Sequence, residues 1–547
     1  MNNQEFVKRF EQVKSDRTTV QSIWDVIETF VTPYRGRMFK DQRNEHSIEW
    51  DKRDVYDSTA VMAHQKLAAS IHGALTSPSI RWFDLRFRDE KLNKNSEAKR
   101  WLESASERCY YELQDSNFNL EINEVYQDLC GPATAFLTLE EAPGPSGNWN
   151  GLNFASVPLK EGYFETDWRG TILRFYRLLS WTPAQIISRF GDEVPQSIKD
   201  AEEKGATDKR EVLFVIYPRG NRIVPVGQKA SPSKRSIAYR YMLRDTAEEL
   251  GKEGGYYEMP AYAARWRTTS ESIWGNGPAH VAIADILSLN EARKMQLKAS
   301  EKLIDPPIFA EERALLSDLN LAAASLSVVR DIDGVKPFET HGSIATSDAM
   351  VEQLQRAVKE YFFTDALALP APQAQPMTAF EVQKRYEEIQ RFMGPTLSRL
   401  INDILDPTLS RVFRMLWREG QLDEPPQVVV DAQAQFDVVY LGALSRAQRV
   451  DEATSIDRWV NSAAVMGEAF PDGLDIVDID EALRHSGRSL NVPATIIRSE
   501  TEVKKIRDER QAKQRAMEEA AIAQAQGDAA QSVAAGEQAV GETGEAQ

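Results

Sequence analysis

The sequence predicts a mainly helical α+β protein, and three observations carry that reading. Residues 278–304 hold no Gly, and no Pro after the first position, which is the composition of one long helix. From Phe136 to about Trp266 the apolar segments become short, alternating and rich in β-branched and aromatic residues, the pattern of strands. Helical periodicity resumes on both sides of that stretch.

The elements follow in order. In residues 1–35, Phe6, Phe10, Val13, Val20, Ile23, Trp24 and Ile27 recur at helical spacing, and Pro33 ends the pattern. A second helix is expected over 57–75, with Asp57 or Ser58 at its N-cap and Pro78 beyond its end. Two amphipathic helices span about 95–114 and 119–131. FLTLEE, LNFASVPL, GYFET, TILRFYRLLS, EVLFVIYP, SIAYRYML and GYYEMPAYAARW read as strands, with Asn150-Gly151 as a hairpin turn. WTPAQIISRFG is a short helix capped by Thr182, begun by Pro183 and stopped by Gly191. The long helix 278–304 would measure about 40 Å and stops at Asp305-Pro306-Pro307. A second long helix runs from Ser347 to about Leu367. After the Pro-rich loop LPAPQAQPM, a T-x-x-E capping box at Thr378 opens a helix reaching about Gly420. Gly394-Pro395 and Asp406-Pro407 are its expected kinks or breaks. Residues 436–493 read as a small helical unit, and Ser499 with Glu502 caps a charged helix to about Ala525. The last 21 residues lack Lys, Arg and aromatics and read as disordered.

Composition bounds the function. With 83 acidic against 66 basic residues the net charge is −17, which argues against a surface that grips nucleic acid all over but not against one that nucleic acid slides past. Two cysteines, Cys109 and Cys130, are too few for a disulfide framework or a cysteine-based zinc site and fit a reducing compartment. No apolar run nears the ~18 residues of a membrane span, and the N-terminus lacks a signal-peptide core, so no membrane partner is expected. Motifs for phosphate cradling, zinc hydrolysis and a serine nucleophile elbow are missing. His64 and His72 lie eight apart on one helix, without obvious carboxylate partners for a metal. Asp475, Asp478, Asp480 and Glu481 form the densest acidic cluster, read as a helix N-terminus ahead of a two-metal site. Asp331-Ile332-Asp333-Gly334 begins like a calcium loop but lacks the closing Glu, so a turn is expected. No catalytic residue, metal or cofactor is assigned.

The informative feature is architectural: two long helices, antiparallel around an insertion. On the first, Lys294, Lys298 and Lys302 recur every fourth residue, beside an apolar stripe of Ile283, Ile286, Leu287, Leu297 and Ile304. Either this is a solvated basic face beside a packing seam, or it is a basic stripe facing a polyanion.

The chain resembles the portal proteins, or head-to-tail connectors, of short-tailed bacteriophages over roughly residues 5–515. The resemblance is carried in order by Asp57-Ser58-Thr59 with LAASIHGALTSPSIRWFDL, then VPLKEGYFETDWRG, WTPAQIISRFG, WGNGPAHVAIADILSLNEARKMQLKASEKLIDPP, MTAFEVQKRYEE and FDVVYLGALSRAQR. It implies a portal-type fold. Residues 1–277 and 378–435 would be the wing, 278–304 and 347–367 the stem helices, 305–346 the clip and 368–377 the tunnel loop. Residues 436–493 would form the crown, 494–525 a barrel helix and 526–547 a disordered tail. It further implies a ring of usually twelve copies at one capsid vertex, a channel for double-stranded DNA, and a platform for terminase and then the tail adaptor. Major capsid and scaffolding proteins would be neighbours, in the virion and earlier in the host cytoplasm. The channel-facing candidates are then Lys294, Lys298, Lys302, Arg356 and Lys359. The tunnel-loop candidates are Pro370, Pro372, Gln373, Gln375 and Pro376; that loop has no Lys or Arg, which favours steric contact with DNA over charge. Alternatives are another ring protein of the virion neck or collar, for which the chain is long, and a metal-dependent nucleic-acid enzyme using the acidic cluster.

Overall fold

The computed structural model describes residues 2–35, 55–78, 81–142, 149–220, 229–269, 272–304, 308–310, 335–337, 344–364, 393–432, 435–440, 455–463, 465, 479–489 and 503–517. From the N-terminus come α1 (Asn3–Phe30), α2 (Thr59–Leu75), β1 (Phe83–Phe87), α3 (Glu90–Lys94), α4 (Ser96–Asp115) and α5 (Phe118–Cys130). Next are β2 (Thr134–Glu141), β3 (Leu152–Val157), β4 (Gly162–Thr166), β5 (Ile172–Trp181), α6 (Pro183–Phe190), α7 (Gln196–Glu203), β6 (Arg210–Pro218), β7 (Ile237–Leu243), β8 (Glu249–Tyr256) and β9 (Ala261–Arg265). Then follow α8 (Pro278–Ile304), β10 (Ile308–Ala310), β11 (Val335–Pro337), α9 (Ile344–Tyr361), α10 (Asp406–Arg418), α11 (Gln427–Asp431), β12 (Phe436–Tyr440) and α12 (Ile479–Ser489). The architecture is α+β and mainly helical. The chain divides into a larger unit (Met1–Asp84, Ala105–Glu424 and Val438–Leu444) and a smaller one made of the remaining segments.

In the larger unit, the five-stranded antiparallel sheet β4-β5-β6-β7-β8 is buried on both faces because its strands alternate two apolar sets. Tyr163, Tyr176, Leu213, Val215 and Met242 meet Phe6, Phe10 and Val13 of α1. Phe164, Phe175, Phe214 and Ile216 point the other way, onto Phe136, Ala261 and Ala263 of the three-stranded sheet β3-β2-β9. Each of these large side chains contributes about 1.5–3 kcal/mol on burial, so α1 is held by its apolar face rather than by its termini. Asn2 and Glu5 still close a capping box at its start. Further along α1, Trp24 meets Trp274 edge-on at 5.2 Å. On the far side of the three-stranded sheet, α5 packs on β2 and β3, and α2 packs on α5. Asn117 at the start of α5 both donates to the carbonyl of Phe154 (2.7 Å) and accepts from its N–H (2.8 Å), fixing helix to strand.

Several expectations meet the structure closely. Thr182 and Gln185 form a capping box, Pro183 begins α6, and Gly191 leaves it at φ +60°. Others differ. GYYEMPAYAARW is not one strand: its start ends β8 in the large sheet, and Ala261–Arg265 pairs with β2 in the other. β8 escapes a sequence reading because Gly251, Gly254 and Gly255 give it a turn's composition. The glycines are needed there: a Cβ on Gly254 would lie 2.1 Å from the Tyr239 ring. β2 and β3 do form a hairpin, but Asn150-Gly151 sits on its β3 side, where the Gly151 carbonyl accepts from Ala142 N–H (3.0 Å). FDVVY is a strand, β12, pairing with β1. The break expected at Asp406-Pro407 is absorbed by a π-turn, Ile401–Leu405, immediately before α10. Widening that turn accommodates a proline that has no N–H to give.

In the smaller unit, Phe87 stacks near Trp101 (6.5 Å), and Arg88 bonds Asp437 (2.7 Å). Ser486 of α12 donates to Asp457 (3.2 Å), and Arg507 grips Asp480 with two bonds of 2.5 and 2.7 Å. Helical residues 503–517 are exposed on nearly every side. Ser499, the expected cap of that helix, lies outside the described residues, as do Glu502, the expected helix end 518–525 and the expected tail 526–547.

Candidate functional site

The site is the pair of long helices, α8 and α9. The junction before α8 is tight: a Cβ on Gly275 would fall 1.9 Å from the Ala133 carbonyl oxygen, so only glycine passes there. Asp285 accepts from the Tyr361 hydroxyl, and its charge raises that phenol's pKa. Gln296 donates to Asp348. Residue numbers rise along α8 as they fall along α9, so the helices are antiparallel. At their far ends β10 pairs antiparallel with β11, Ile308 opposite Pro337, which clasps the insertion at its base.

The start of α2 locks onto this pair. Tyr56 N–H donates to Asn290 of α8 (2.7 Å), and Gln355 of α9 donates to Asp57 (2.8 Å). The other Asp57 oxygen accepts from Thr59 N–H (2.8 Å), so Asp57 holds the first turn of α2, and Ser58 occupies the cap position without a side-chain bond. Asn290 and Gln296 are buried polar residues inside α8. Sequence reasoning passed over this clamp because polar residues at core positions of a helix look like its solvent face.

The structure separates the residues grouped by spacing. Ile286 is buried within its own chain at 3% exposure, and Ile283 is half-buried. Leu287, Leu297 and Ile304 are exposed by 40%, 48% and 85%. Val281 and Met295, both 60% exposed, lie on the face opposite Ile286. Lys298 and Lys302 share that outward side and are exposed. Lys294 is drawn in: it lies 3.9 Å from Glu291 and 5.4 Å from the ring centre of Tyr56. On α9, Arg356 is exposed and paired with Glu352 (2.6 Å), and Lys359 is exposed. Helix α9 begins three residues before Ser347 and ends at Tyr361, because Phe363 turns to φ +54°. The tunnel-loop candidates Pro370, Pro372, Gln373, Gln375 and Pro376 lie outside the described residues.

The weaker candidates have ordinary partners. His64 is buried, with Nε2 2.7 Å from the Gln127 carbonyl, and burial lowers its pKa to about 4. Beside it Arg35 binds Asp128 (2.6 Å), yet burial still lifts that carboxyl to about 6. His72 is half-buried near Tyr126. Among the described residues no group of three His, Cys, Asp or Glu could hold a metal ion. Asp480 is taken by Arg507. Asp475 and Asp478, the side chain of Glu481, and Asp331-Ile332-Asp333-Gly334 are not described. Cys109 and Cys130 are buried free thiols, and burial raises the pKa of both. No helix of the described residues is long and apolar enough to cross a membrane.

Two curated relatives match most of this chain. A "Probable portal protein" of Bordetella phage BPP-1 is 26% identical over 527 residues, covering 93% of this chain and 91% of its own length. The "Portal protein" of Salmonella phage epsilon15 is 26% identical over 518 residues, with the same coverage. The family model described as "Bacteriophage head to tail connecting protein" matches residues 3–497, a span that takes in α1, both sheets and the α8–α9 pair with its clasped insertion. The chain therefore belongs to the family of bacteriophage head-to-tail connecting proteins, the phage portal proteins.

Proposed function

We propose that the protein assembles into a ring, of twelve copies on the family pattern, at one vertex of the phage head. The ring is the conduit for double-stranded DNA during packaging and ejection. It contacts the major capsid and scaffolding proteins, and it is the platform first for terminase and then for the tail adaptor. The role is structural; ATP hydrolysis belongs to the motor. Assembly takes place in the host cytoplasm and the ring stays in the virion. The family match over residues 3–497 carries this reading. Exposed apolar side chains on α8 support it: Val281, Leu287 and Met295 lie away from Ile286, and Leu297 and Ile304 continue the Ile286 face where the protomer leaves it uncovered, which is what a helix shows when a neighbouring copy completes its packing.

On this reading 278–304 and 347–367 are the stem, 305–346 the clip, 368–377 the tunnel loop, and 1–277 with 378–435 the wing. Residues 436–493 are the crown, 494–525 the barrel helix and 526–547 the tail. Lys298 and Lys302, with Lys294, Arg356 and Lys359, give the stem weak cationic contacts. Each neutralised phosphate adds counterion-release affinity, so a conduit works best with few of them. Negative-stain images of the purified protein test the reading: rings with an axial hole are expected, and compact monomers at micromolar concentration would reject it.

A further inference from the structure

A second feature lies away from the long helices. The turn between β4 and β5, the segment after β8, and the helical residues 395–414 enclose a cleft of about 1160 Å³. Five arginines line it (Arg169, Arg265, Arg399, Arg411 and Arg414) against three acids, Asp167, Glu258 and Asp403. In a chain of net charge −17 this is a local reversal of sign.

The buried charges of the cleft are largely matched. Arg411, at 5% exposure, donates to the Glu258 carbonyl (2.7 Å), and Arg418 binds the Glu258 carboxylate with two bonds of 2.5 and 2.9 Å. Arg265 lies 3.7 Å from Asp403, and Nε of both Arg265 and Arg411 is buried without a hydrogen-bond partner. Three arginines nearer the mouth differ. Arg399 donates to the Thr268 hydroxyl (2.5 Å), Arg169 lies over the Trp168 ring at 4.5 Å, and Arg414 is exposed. None of the three is ion-paired with a described residue. Hydroxyls of Thr166, Thr268, Ser272, Ser398 and Ser410 add hydrogen-bonding capacity.

Trp168 stands at the rim, 86% exposed. The turn that carries it is held: Asp167 accepts from the backbone N–H of Arg169 and of Thr171, both at 2.9 Å, and Gly170 takes φ +80°. An exposed tryptophan on a fixed turn, beside guanidinium groups with no ion pair among the described residues, is the composition of a binding hot spot.

We propose that this cleft captures an extended acidic peptide segment of a partner protein, with carboxylates on Arg399, Arg414 and Arg169 and an apolar side chain on Trp168. The chemistry favours a peptide over nucleic acid. Only three arginines of the cleft lack an acidic partner among the described residues, too few to follow a continuous phosphate backbone, whereas a peptide spaces its carboxylates and offers amides to the hydroxyls between them. A concave site of this volume admits an extended segment and not a folded surface. The proposal does not depend on ring formation.

The test is fluorescence anisotropy of a labelled Glu-Ser repeat decapeptide titrated with the full chain. Saturable binding is expected. It should weaken at least about tenfold in Arg399→Gln/Arg414→Gln and in Trp168→Ala, and fall as salt rises. A Gln-Ser repeat should not bind. Arg414→Gln alone, at an exposed position, should weaken binding with an unchanged circular dichroism melt, so misfolding cannot imitate the result. Absent or arginine-independent binding overturns the proposal. So does tighter, arginine-dependent binding of a short DNA duplex. A change in sedimentation of Arg399→Gln/Arg414→Gln also overturns it, since the occupant would then be a second copy.

Discussion

At the scale of single residues, burial decides which charges matter. His64 is enclosed beside Arg35, and its pKa falls from 6.5 to about 4. The unfolded chain therefore binds a proton there more readily than the folded one between those values. The contribution is complete above pH 6.5 and is lost as pH falls through 4, amounting to about 3 kcal/mol. His64→Gln should remove it: the stability gap between native and variant, read from urea midpoints, is expected to narrow by that amount from pH 7 to pH 4. A constant gap would mean that His64 is solvated. Lys298 and Lys302 sit at the other extreme. Changing Lys294, Lys298 and Lys302 together to Gln should shift stability by less than about 1 kcal/mol, because two of the three are exposed in the protomer. In assembled heads the same variant should alter DNA retention, and the effect should shrink with salt because screening acts within about 8 Å. Motor ATP use should stay normal. Retention equal to wild type at low salt would take these lysines out of the mechanism.

At the scale of elements, α8 has a covered stretch and an uncovered stretch with different duties. Ile286 packs inside its own chain, so Ile286→Asp should unfold or strongly destabilise the protomer, by several kcal/mol, with a clear fall in melting temperature. Leu297 is 48% exposed, and Leu297→Asp should leave the melt of the protomer intact while weakening association, read by analytical ultracentrifugation. If Leu297→Asp assembles as wild type does, this uncovered stretch of α8 is not the subunit seam. Both leucine and isoleucine belong to one apolar stripe in the sequence and stand on one face of α8; which stretch of that face is covered depends on where α9 and the Tyr56–Asp57 clamp attach.

At the scale of the whole molecule, the net charge of −17 is carried by every copy, so association must overcome mutual repulsion. Raising salt from low to physiological should therefore promote assembly, measured as the sedimenting fraction in the ring peak. Deleting residues 527–547 removes four acids and no base or aromatic and should leave ring size unchanged while easing assembly at low salt. A truncated chain that stays monomeric would show that this segment builds the ring.

The sequence by itself determined the mainly helical α+β class, the strand-rich stretch between helices, the capped α6 and the long α8, because each rests on local periodicity and on Gly or Pro punctuation. The family was legible too, since its segments keep their order along the chain. Tertiary structure alone decided the rest. It split GYYEMPAYAARW between two sheets, because strand partners are set by side-chain fit across distant segments and not by the strand's own pattern. It covered Ile286 and left Leu297 exposed on the same helix, tied Tyr56 to Asn290 and Asp57 to Gln355 across more than two hundred residues, and gathered Arg169, Arg265, Arg399 and Arg411 around one cleft. Burial and charge balance are properties of what surrounds a residue, and those surroundings come from parts of the chain that no local window contains.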